Sequence, residues 1–298
     1  MTFFNFDSSL IASIVVYVLL AYSVQVPLRA GVFALSGIGC FAIGGYTTAI
    51  LTIEGAPLVL ALVAGVLLSA GVSLLLALVL VRLNSLYLAM ATVAFVVIIG
   101  VIAANAGDLT GGAIGLFAVP VSLGLWPVEI LVVVVSLLLV ALERYVSGRS
   151  ILVAREDEEL AHSLGINIAS QRRMVFVVSG MLGGLAGGCH VLTVASIAPE
   201  TAGFSMIILV LTMVILGGFG TWAGAALGAA ILTWLPLELA SVGHWWPVIY
   251  GLVLTGMAVY APAGLAGLLS RLFRGIRRTL LRRSNAPRTR EVSVGGDS

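Results

Sequence analysis

The chain has 298 residues, of which 60% are hydrophobic and 9% charged, and its formal net charge is +2. Soluble domains carry about 25% charged residues, so this composition excludes a soluble globular protein of this size and indicates an integral membrane protein. All 15 basic residues are arginines. Because a P-loop needs a lysine against the nucleotide phosphates, the chain has no standard ATP site, and any ATP-driven step requires a partner.

Apolar runs of about 20 residues, the length of a membrane-spanning helix, follow one another along the chain. They predict an all-α, polytopic transmembrane helical bundle with early spans at residues 10–27, 31–53, 58–81, 86–104, 125–142 and 174–194. The run 204–240 is too long for one crossing, and residues 217–220 (GGFG) divide it. With a last span near 247–260, the count is nine if both halves cross and seven if they form a re-entrant hairpin.

The arginines predict the orientation, because basic residues concentrate on the cytoplasmic side of a membrane protein. With an odd number of crossings and the N-terminus outside, every arginine and the C-terminus lie in the cytoplasm. We divide the chain into a transmembrane domain, 1–270, and a basic cytoplasmic tail, 271–298, which holds eight arginines. The tail suits anionic lipid headgroups. Nucleic-acid binding is not expected, because no aromatic or folded module accompanies the charge.

The segment 150–171 is the one long polar stretch inside this apolar chain. Val153, Leu160 and Leu164 are spaced by seven and four residues, which places them on one face of a helix, and Gly165 is a predicted helix stop. Three interpretations remain open: a helix on the lipid surface, a solvated loop, and a coupling helix that fits a groove on another subunit. We favour the third.

Two glycine patterns occur inside the spans. Residues 180–188 place glycines four apart, a pattern that lets helices pack closely. Gly111–Gly112 and Gly217–Gly218 instead break helices, and broken backbone at membrane depth is tolerated only against protein or a water-filled cavity. We therefore predict, as residues of a translocation pathway, Thr92, Asn105, Thr110, Gly111, Gly112, Gly217 and Gly218.

Ionisable groups are nearly absent from the spans, although such groups usually mark proton or ion pathways. His190 has no second His, Asp or Glu at helical spacing, which indicates a packing residue and argues against a metal site or an intramembrane enzyme. An ion-coupled secondary transporter remains an alternative of another class. The missing carboxylates count against it.

Several stretches together resemble the permease subunits of high-affinity branched-chain amino-acid ABC importers, the type with a long coupling loop. They are residues 44–46 (GGY), 109–112 (LTGG), 115–116 (GL), 154–161 (AREDEELA), 164–167 (LGIN), 179–188 (SGMLGGLAGG), 197–200 (IAPE), 217–224 (GGFGTWAG), 250–251 (YG) and 262–265 (PAGL). The sequence departs from the family pattern at Ser36–Gly37, at Val96–Val97 and at Ile114.

The resemblance implies a permease of the bacterial cytoplasmic membrane, crossing it many times and without catalytic residues, metal or cofactor of its own. The implied partners are a second permease subunit, two ATP-binding subunits that carry ATP and Mg, and an extracytoplasmic solute-binding protein. The departures leave open whether the solute is a branched-chain amino acid, a related amino acid, urea or an amide, a sugar or a nucleoside. The residues implied to contact the ATPase are Ala154, Arg155, Glu156, Glu159, Leu160, Ala161, Leu164 and Gly165.

Overall fold

The computed structural model describes residues 8–80, 82–83, 85–120, 125–144, 161, 163–218 and 220–239, together with residues 248, 251–252, 255–256, 264 and 267. The regular secondary structure of these residues is helical, as predicted. They also contain one isolated β-bridge, between Leu116 and Ile197. A 3-10 turn occupies Pro199–Ala202. The helices are α1 Ser8–Arg29, α2 Ser36–Ile53, α3 Leu58–Leu80, α4 Ser85–Asn105, α5 Gly107–Thr110, α6 Leu125–Arg144, α7 Ile168–Val194, α8 Phe204–Gly217 and α9 Trp222–Leu239.

Five of the described helices, α1, α2, α3, α4 and α7, are long and apolar enough to cross a membrane. The predicted break in the run 204–240 is present, since α8 ends at Gly217 and α9 begins at Trp222. At 1.5 Å per residue, the 14 residues of α8 extend about 21 Å, less than the hydrocarbon thickness of about 30 Å. Helix α8 alone is therefore too short to cross a flat bilayer.

Two predicted boundaries differ from the structure. Helix α1 continues through Pro27 to Arg29 instead of ending at the proline. Helix α7 begins at Ile168, so the last four residues of the polar segment 150–171 already belong to this helix. The reason is local: the Asn167 side chain accepts a hydrogen bond from the Ser170 backbone N–H (3.0 Å) and caps the new helix.

Helices α2 and α7 form the centre of the bundle. In each of them 72% of the most apolar 18-residue stretch is buried inside the bundle, against 22% in α3 and in α4. Helix α2 runs parallel to α7, because Gly37 lies against Gly183 and Gly45 against Gly187 further along both helices. Helix α3 is antiparallel to α7, because Ser73 lies against Gly180 and the earlier residue Leu62 against Gly188.

The outer helices present apolar side chains away from the bundle. Leu67, Leu75 and Val79 of α3 are 63%, 64% and 73% exposed, and Met90 of α4 is 64% exposed. Large apolar side chains exposed in this number are unfavourable in water and fit the lipid tails of a bilayer. The surface confirms that the apolar composition serves a membrane environment.

The helix directions bring the arginine-bearing turns to one end of the bundle. A small apolar cluster joins Val32 of the α1–α2 loop, Leu80 of α3, Leu88 of α4 and Phe176 of α7. Four arginines lie beside this cluster in sequence, and we call this side the arginine end: Arg29, Arg82, Arg172 and Arg173. The α8–α9 break is also at this end, because Gln25 of α1 contacts Thr221.

Candidate functional site

The described part of the polar segment is a helix stop followed by a helix start. Gly165 has φ +75°, and the Ile166 N–H donates to the Ala161 carbonyl at 3.0 Å, which is the hydrogen bond of a Schellman C-cap. Ala161 is buried, whereas Leu164 is 63% exposed. An exposed leucine beside the capped turn leaves apolar surface available to a neighbouring molecule.

The other residues predicted to contact an ATPase lie outside the described residues. They are Ala154, Arg155, Glu156, Glu159 and Leu160. The basic tail 271–298 also lies outside them. Their predicted roles stay predictions.

The helix that leaves the polar segment, α7, is held in the bundle by close contacts and by hydroxyl groups. A Cβ atom on Gly184 would meet Ser69 Oγ at 2.5 Å and the Gly65 carbonyl at 3.2 Å. The Ser73 hydroxyl donates to the Phe176 carbonyl at 2.6 Å. Interhelical hydrogen bonds of this kind are worth about 0.6 kcal/mol each in a membrane. The predicted close packing of residues 180–188 is confirmed, with α2 and α3 as the neighbours.

The α8–α9 break is a compact turn built from glycines and a threonine cap. Gly218 has φ +99°. Thr221 accepts from the Gly224 N–H through both its carbonyl (3.0 Å) and its hydroxyl oxygen (3.2 Å). A Cβ atom on Gly224 would meet the Gly217 carbonyl at 2.6 Å. Within the described residues the two helices therefore approach each other through backbone atoms and form a tight hairpin.

One face of α1 contacts this break through three side chains. Tyr22, Gln25 and Arg29 follow at spacings of three and four residues, which places them on the same helical face. The fully buried Gln25 donates from Nε2 to the Thr221 carbonyl at 2.8 Å. The Arg29 guanidinium carbon is 4.6 Å from the centre of the Trp222 ring, and Tyr22 meets that ring edge-on at 5.6 Å. We call these three residues the α1 clasp.

Helix α1 is also hydrogen-bonded to α7, at a carbonyl group that Pro27 leaves free. Pro27 has no N–H, so the Ser23 carbonyl one turn earlier lacks its usual helical donor. The Ser179 hydroxyl of α7 donates to that carbonyl at 2.6 Å. Helix α1 also packs against α6. Helix α1 thus touches both helices that flank the polar segment, and also the α8–α9 break.

At the other end of the bundle, the connection after α4 is attached to the turn after α7. The backbones of Leu116 and Ile197 exchange two hydrogen bonds of 2.9 Å. Thr110 is buried and donates to the Ala103 carbonyl at 2.6 Å. Gly115 has φ +89°, and a Cβ atom there would meet the Ile197 carbonyl and the Ala198 Cα. The described part of the connection, residues 106–120, is therefore a folded cover and not a loose loop.

Gly115→Ala is expected to detach this cover and to lower stability by about 1–3 kcal/mol, from the left-handed backbone and the clash together. Amide hydrogen exchange across residues 110–120 measures the detachment. Gly55→Ala is the matched control, because Gly55 has φ +84° but a Cβ atom added there would have no heavy atom within 4 Å. Equal exchange rates in the two variants would show that the Ile197 contact does not hold the cover.

The structure does not bring the predicted pathway residues together in one place. Thr92 lies toward the arginine end, where its hydroxyl accepts from the Leu35 N–H at 3.2 Å. Gly217 and Gly218 lie at the α8–α9 break. The other four are near the opposite end: Asn105, Thr110, Gly111 and Gly112. Asn105 is exposed and donates to the Val101 carbonyl of its own helix at 2.8 Å.

Along α4, the 13 residues from Thr92 to Asn105 rise about 20 Å. A single solute site cannot contain both groups of predicted pathway residues. A pathway lined by these residues would therefore have two separate groups of lining residues, one near each end of the bundle.

His190 packs as expected of an isolated histidine. Its ring centre is 5.4 Å from that of Phe41, with the two rings inclined by 51°. Within the described residues, no three His, Cys, Asp or Glu side chains are grouped closely enough to hold a metal ion. Cys40 and Cys189 are free and buried.

The sequence interpretation missed the α1 clasp. Gln25 is the one carboxamide among the buried polar side chains of the described residues. Burying an amide in a membrane span costs free energy unless the amide is hydrogen-bonded. Its spacing to Tyr22 and Arg29 was readable from the sequence. The partner, Thr221, lies 196 residues away, and nothing in the local pattern identifies it.

The described residues thus form a helical membrane bundle with a tight small-residue centre, a broken hairpin and a polar segment between α6 and α7. A family profile described as "Branched-chain amino acid transport system / permease component" matches residues 8–262. The chain belongs to this family. It is therefore a multi-pass protein of the bacterial inner membrane and a permease component of an ABC transporter, a class that is not itself enzymatic.

Curated relatives agree with the family. The chain is 26% identical to the high-affinity branched-chain amino acid transport system permease protein LivM of Salmonella typhimurium, over 84% of this chain and 67% of that protein. The LivM of Escherichia coli gives the same figures. The autoinducer 2 import system permease protein LsrC of Enterobacter is 33% identical over 47% of this chain and 43% of its own length. No solved structure matches the chain.

Proposed function

We propose that this chain is a permease subunit of an ABC importer that takes up branched-chain or related amino acids by alternating access. The observation that carries the proposal is the extent of the similarity: the family profile covers residues 8–262, and the LivM relatives are aligned over 84% of the chain. Alternating access is a shift between two conformations, biased here by an external motor.

The motor in this proposal is a pair of separate ATP-binding subunits that carry the ATP and Mg. The coupling segment 150–171 lies in the cytoplasm and contacts them, and a second permease subunit and an extracytoplasmic solute-binding protein complete the importer. In support, the chain has no lysine for a P-loop. The exposed Leu164, beside the Gly165 turn, offers an apolar contact to an ATPase groove.

The grouping of arginine-bearing turns at one end of the bundle supports the cytoplasmic placement of that end. The N-terminus then faces outward. The folded cover around residues 110–120 is on the side from which a binding protein would deliver solute. The pathway residues Thr92, Thr110, Gly111, Gly112, Gly217 and Gly218, together with Asn105, remain proposals for the passage itself.

A second candidate solute class is kept because of partial similarities. LsrC is named as an autoinducer 2 permease, and FrcC of Rhizobium meliloti, 28% identical over 43% of this chain, as a fructose import permease. These matches cover less than half of the chain, whereas LivM covers most of it. A sugar-like solute is therefore the alternative, and the amino acid is the preferred one.

Uptake of radiolabelled leucine by vesicles containing the complete importer tests the proposal. We expect ATP-dependent uptake that unlabelled isoleucine and valine suppress and that fructose does not. If fructose suppresses the uptake of leucine and isoleucine does not, the sugar alternative replaces the amino-acid proposal.

A further inference from the structure

We propose that the α1 clasp is the joint through which movement of the helices flanking the polar segment reaches the α8–α9 break. In this proposal Gln25 and Arg29 are positioning residues that set how much solute is moved per ATP hydrolysed. They do not bind solute. The inference rests on the proposed function, since it presumes that an external motor displaces α6 and α7.

The first observation is that the break and its two helices form one compact unit. Gly217 lies against Gly224, and Gly228 lies against Met213 and Gly217. These contacts join backbone to backbone, and such packing has little room to deform. A displacement at the N-terminal end of α9 therefore moves α8 with it.

The second observation is that α1 is attached to the core by different contacts. The Ser179 hydroxyl of α7 bonds to the Ser23 carbonyl that Pro27 leaves without a helical donor. Gly37 of α2 also lies against Ser23, at a distance that excludes a larger side chain. Helix α1 is thus seated on α7 and α2 at Ser23, next to the clasp residues Tyr22 and Gln25.

The third observation is that specific polar and aromatic contacts concentrate where α1 meets the break. An amide hydrogen bond, a cation–π contact and an edge-on ring contact join α1 to Thr221 and Trp222 of the hairpin. Such contacts depend on orientation more steeply than apolar packing does. They are suited to two discrete arrangements, one formed and one released, and so to transmitting a movement.

Uptake and ATP hydrolysis by the complete importer test this role. Gln25→Leu and Arg29→Gln are expected to lower the solute moved per ATP by about threefold to tenfold, the range for losing one hydrogen bond or cation–π contact. The KM for solute should stay within about twofold, because the clasp does not touch solute. Arg29→Lys, which keeps a cation above the ring, should recover most of the loss.

Arg82→Gln is the matched control, because Arg82 is an exposed arginine at the same end of the bundle. It should transport like the unmodified chain. A raised KM with an unchanged maximal rate in Arg29→Gln would overturn the proposal, and so would an unchanged ratio of solute to ATP.

A labelling measurement keeps the clasp testable whichever solute is carried. Val18 lies on the same face of α1 as Tyr22 and Gln25 and is buried, so Val18→Cys places a thiol that maleimide reaches only when α1 separates from its neighbours. In vesicles without nucleotide, adding Gln25→Leu or Arg29→Gln should raise the rate of maleimide labelling by about threefold or more, since α1 and the hairpin separate more often. Cys40 and Cys189 are buried and contribute little background.

An unchanged labelling rate in both clasp variants would overturn the joint, even in an importer that transports amino acids normally. Faster labelling of the clasp variants, in an importer that fails to take up leucine even with the clasp intact, would contradict the proposed solute and leave the clasp supported. The two failures are therefore distinguishable.

Discussion

Leucine in place of Gly184 is expected to prevent α2, α3 and α7 from assembling. The α7 backbone at this position lies between two helices: a Cβ atom on Gly44 would collide with Gly184 itself, and a Cβ atom on Gly184 would collide with Ser69. The leucine must displace α3 from its seat against α7 at the centre of the bundle. We expect a loss of about 3 kcal/mol or more, the upper part of the range for overpacked cores.

Extraction in a mild detergent followed by size-exclusion chromatography measures this loss. The variant should give aggregated or degraded protein where the unmodified chain gives a single species. Gly71→Leu is the control, because Gly71 lies on the exposed side of α3 and a Cβ atom added there would have no heavy atom within 4 Å. If both leucine variants behave like the unmodified chain, close helix approach at Gly184 does not stabilise the bundle.

Deletion of residues 154–165 is expected to abolish both ATPase binding and uptake while leaving the bundle intact. The deleted residues contain the predicted apolar seam at Leu160 and Leu164 and end at the Gly165 turn. Helix α7 retains its own cap, because Asn167 lies beyond the deletion. Co-purification with the ATP-binding subunits and ATP-dependent uptake are the measurements, and detergent extraction checks that the variant folds.

A replacement of the same 12 residues by a glycine–serine linker separates loop length from specific contact. This variant should lose ATPase binding as completely as the deletion does. Replacing only Leu160 and Leu164 by glutamine should weaken binding, since the anchors of a helix in a groove are its apolar residues. A linker variant that binds the ATPase and transports would rule out a coupling role for this segment.

The spacing of residues in the sequence predicted which face of a helix is closely packed, but not which helix packs against that face. Glycines four residues apart in α7 indicated a close approach, and Gly184 indeed lies against Gly44 and Ser69. The same spacing does not say which helix approaches. The partners are fixed by the parallel seating of α2 and the antiparallel seating of α3, which depend on the whole bundle.

Helix-breaking residues predicted the end of a helix correctly at residues 217–220 and wrongly at Pro27. The GGFG sequence at 217–220 correctly predicted the end of α8. Pro27 was expected to end the first span, but α1 continues to Arg29. A membrane helix tolerates proline when another group satisfies the freed carbonyl, and here the Ser179 hydroxyl, 156 residues away from Ser23, does so.

Polar side chains in the spans were the hardest to interpret from sequence. Thr92 was predicted to line a pathway, and its hydroxyl contacts the Leu35 N–H and the Ala89 carbonyl. Gln25 was overlooked, although it is buried and bonded to the α8–α9 break. A hydroxyl or amide in an apolar run can bond to a neighbouring backbone or face a solute, and only the distant partner distinguishes the two uses.

Solute accumulation in vesicles tests the central claim, that this chain is a passive gate operated by separate ATPases. One preparation contains the chain alone under imposed proton or sodium gradients, and the other contains the complete importer with internal ATP. We expect accumulation only in the second preparation, and its loss when ATP is replaced by a non-hydrolysable analogue. Gradient-driven accumulation by the chain alone would contradict the account.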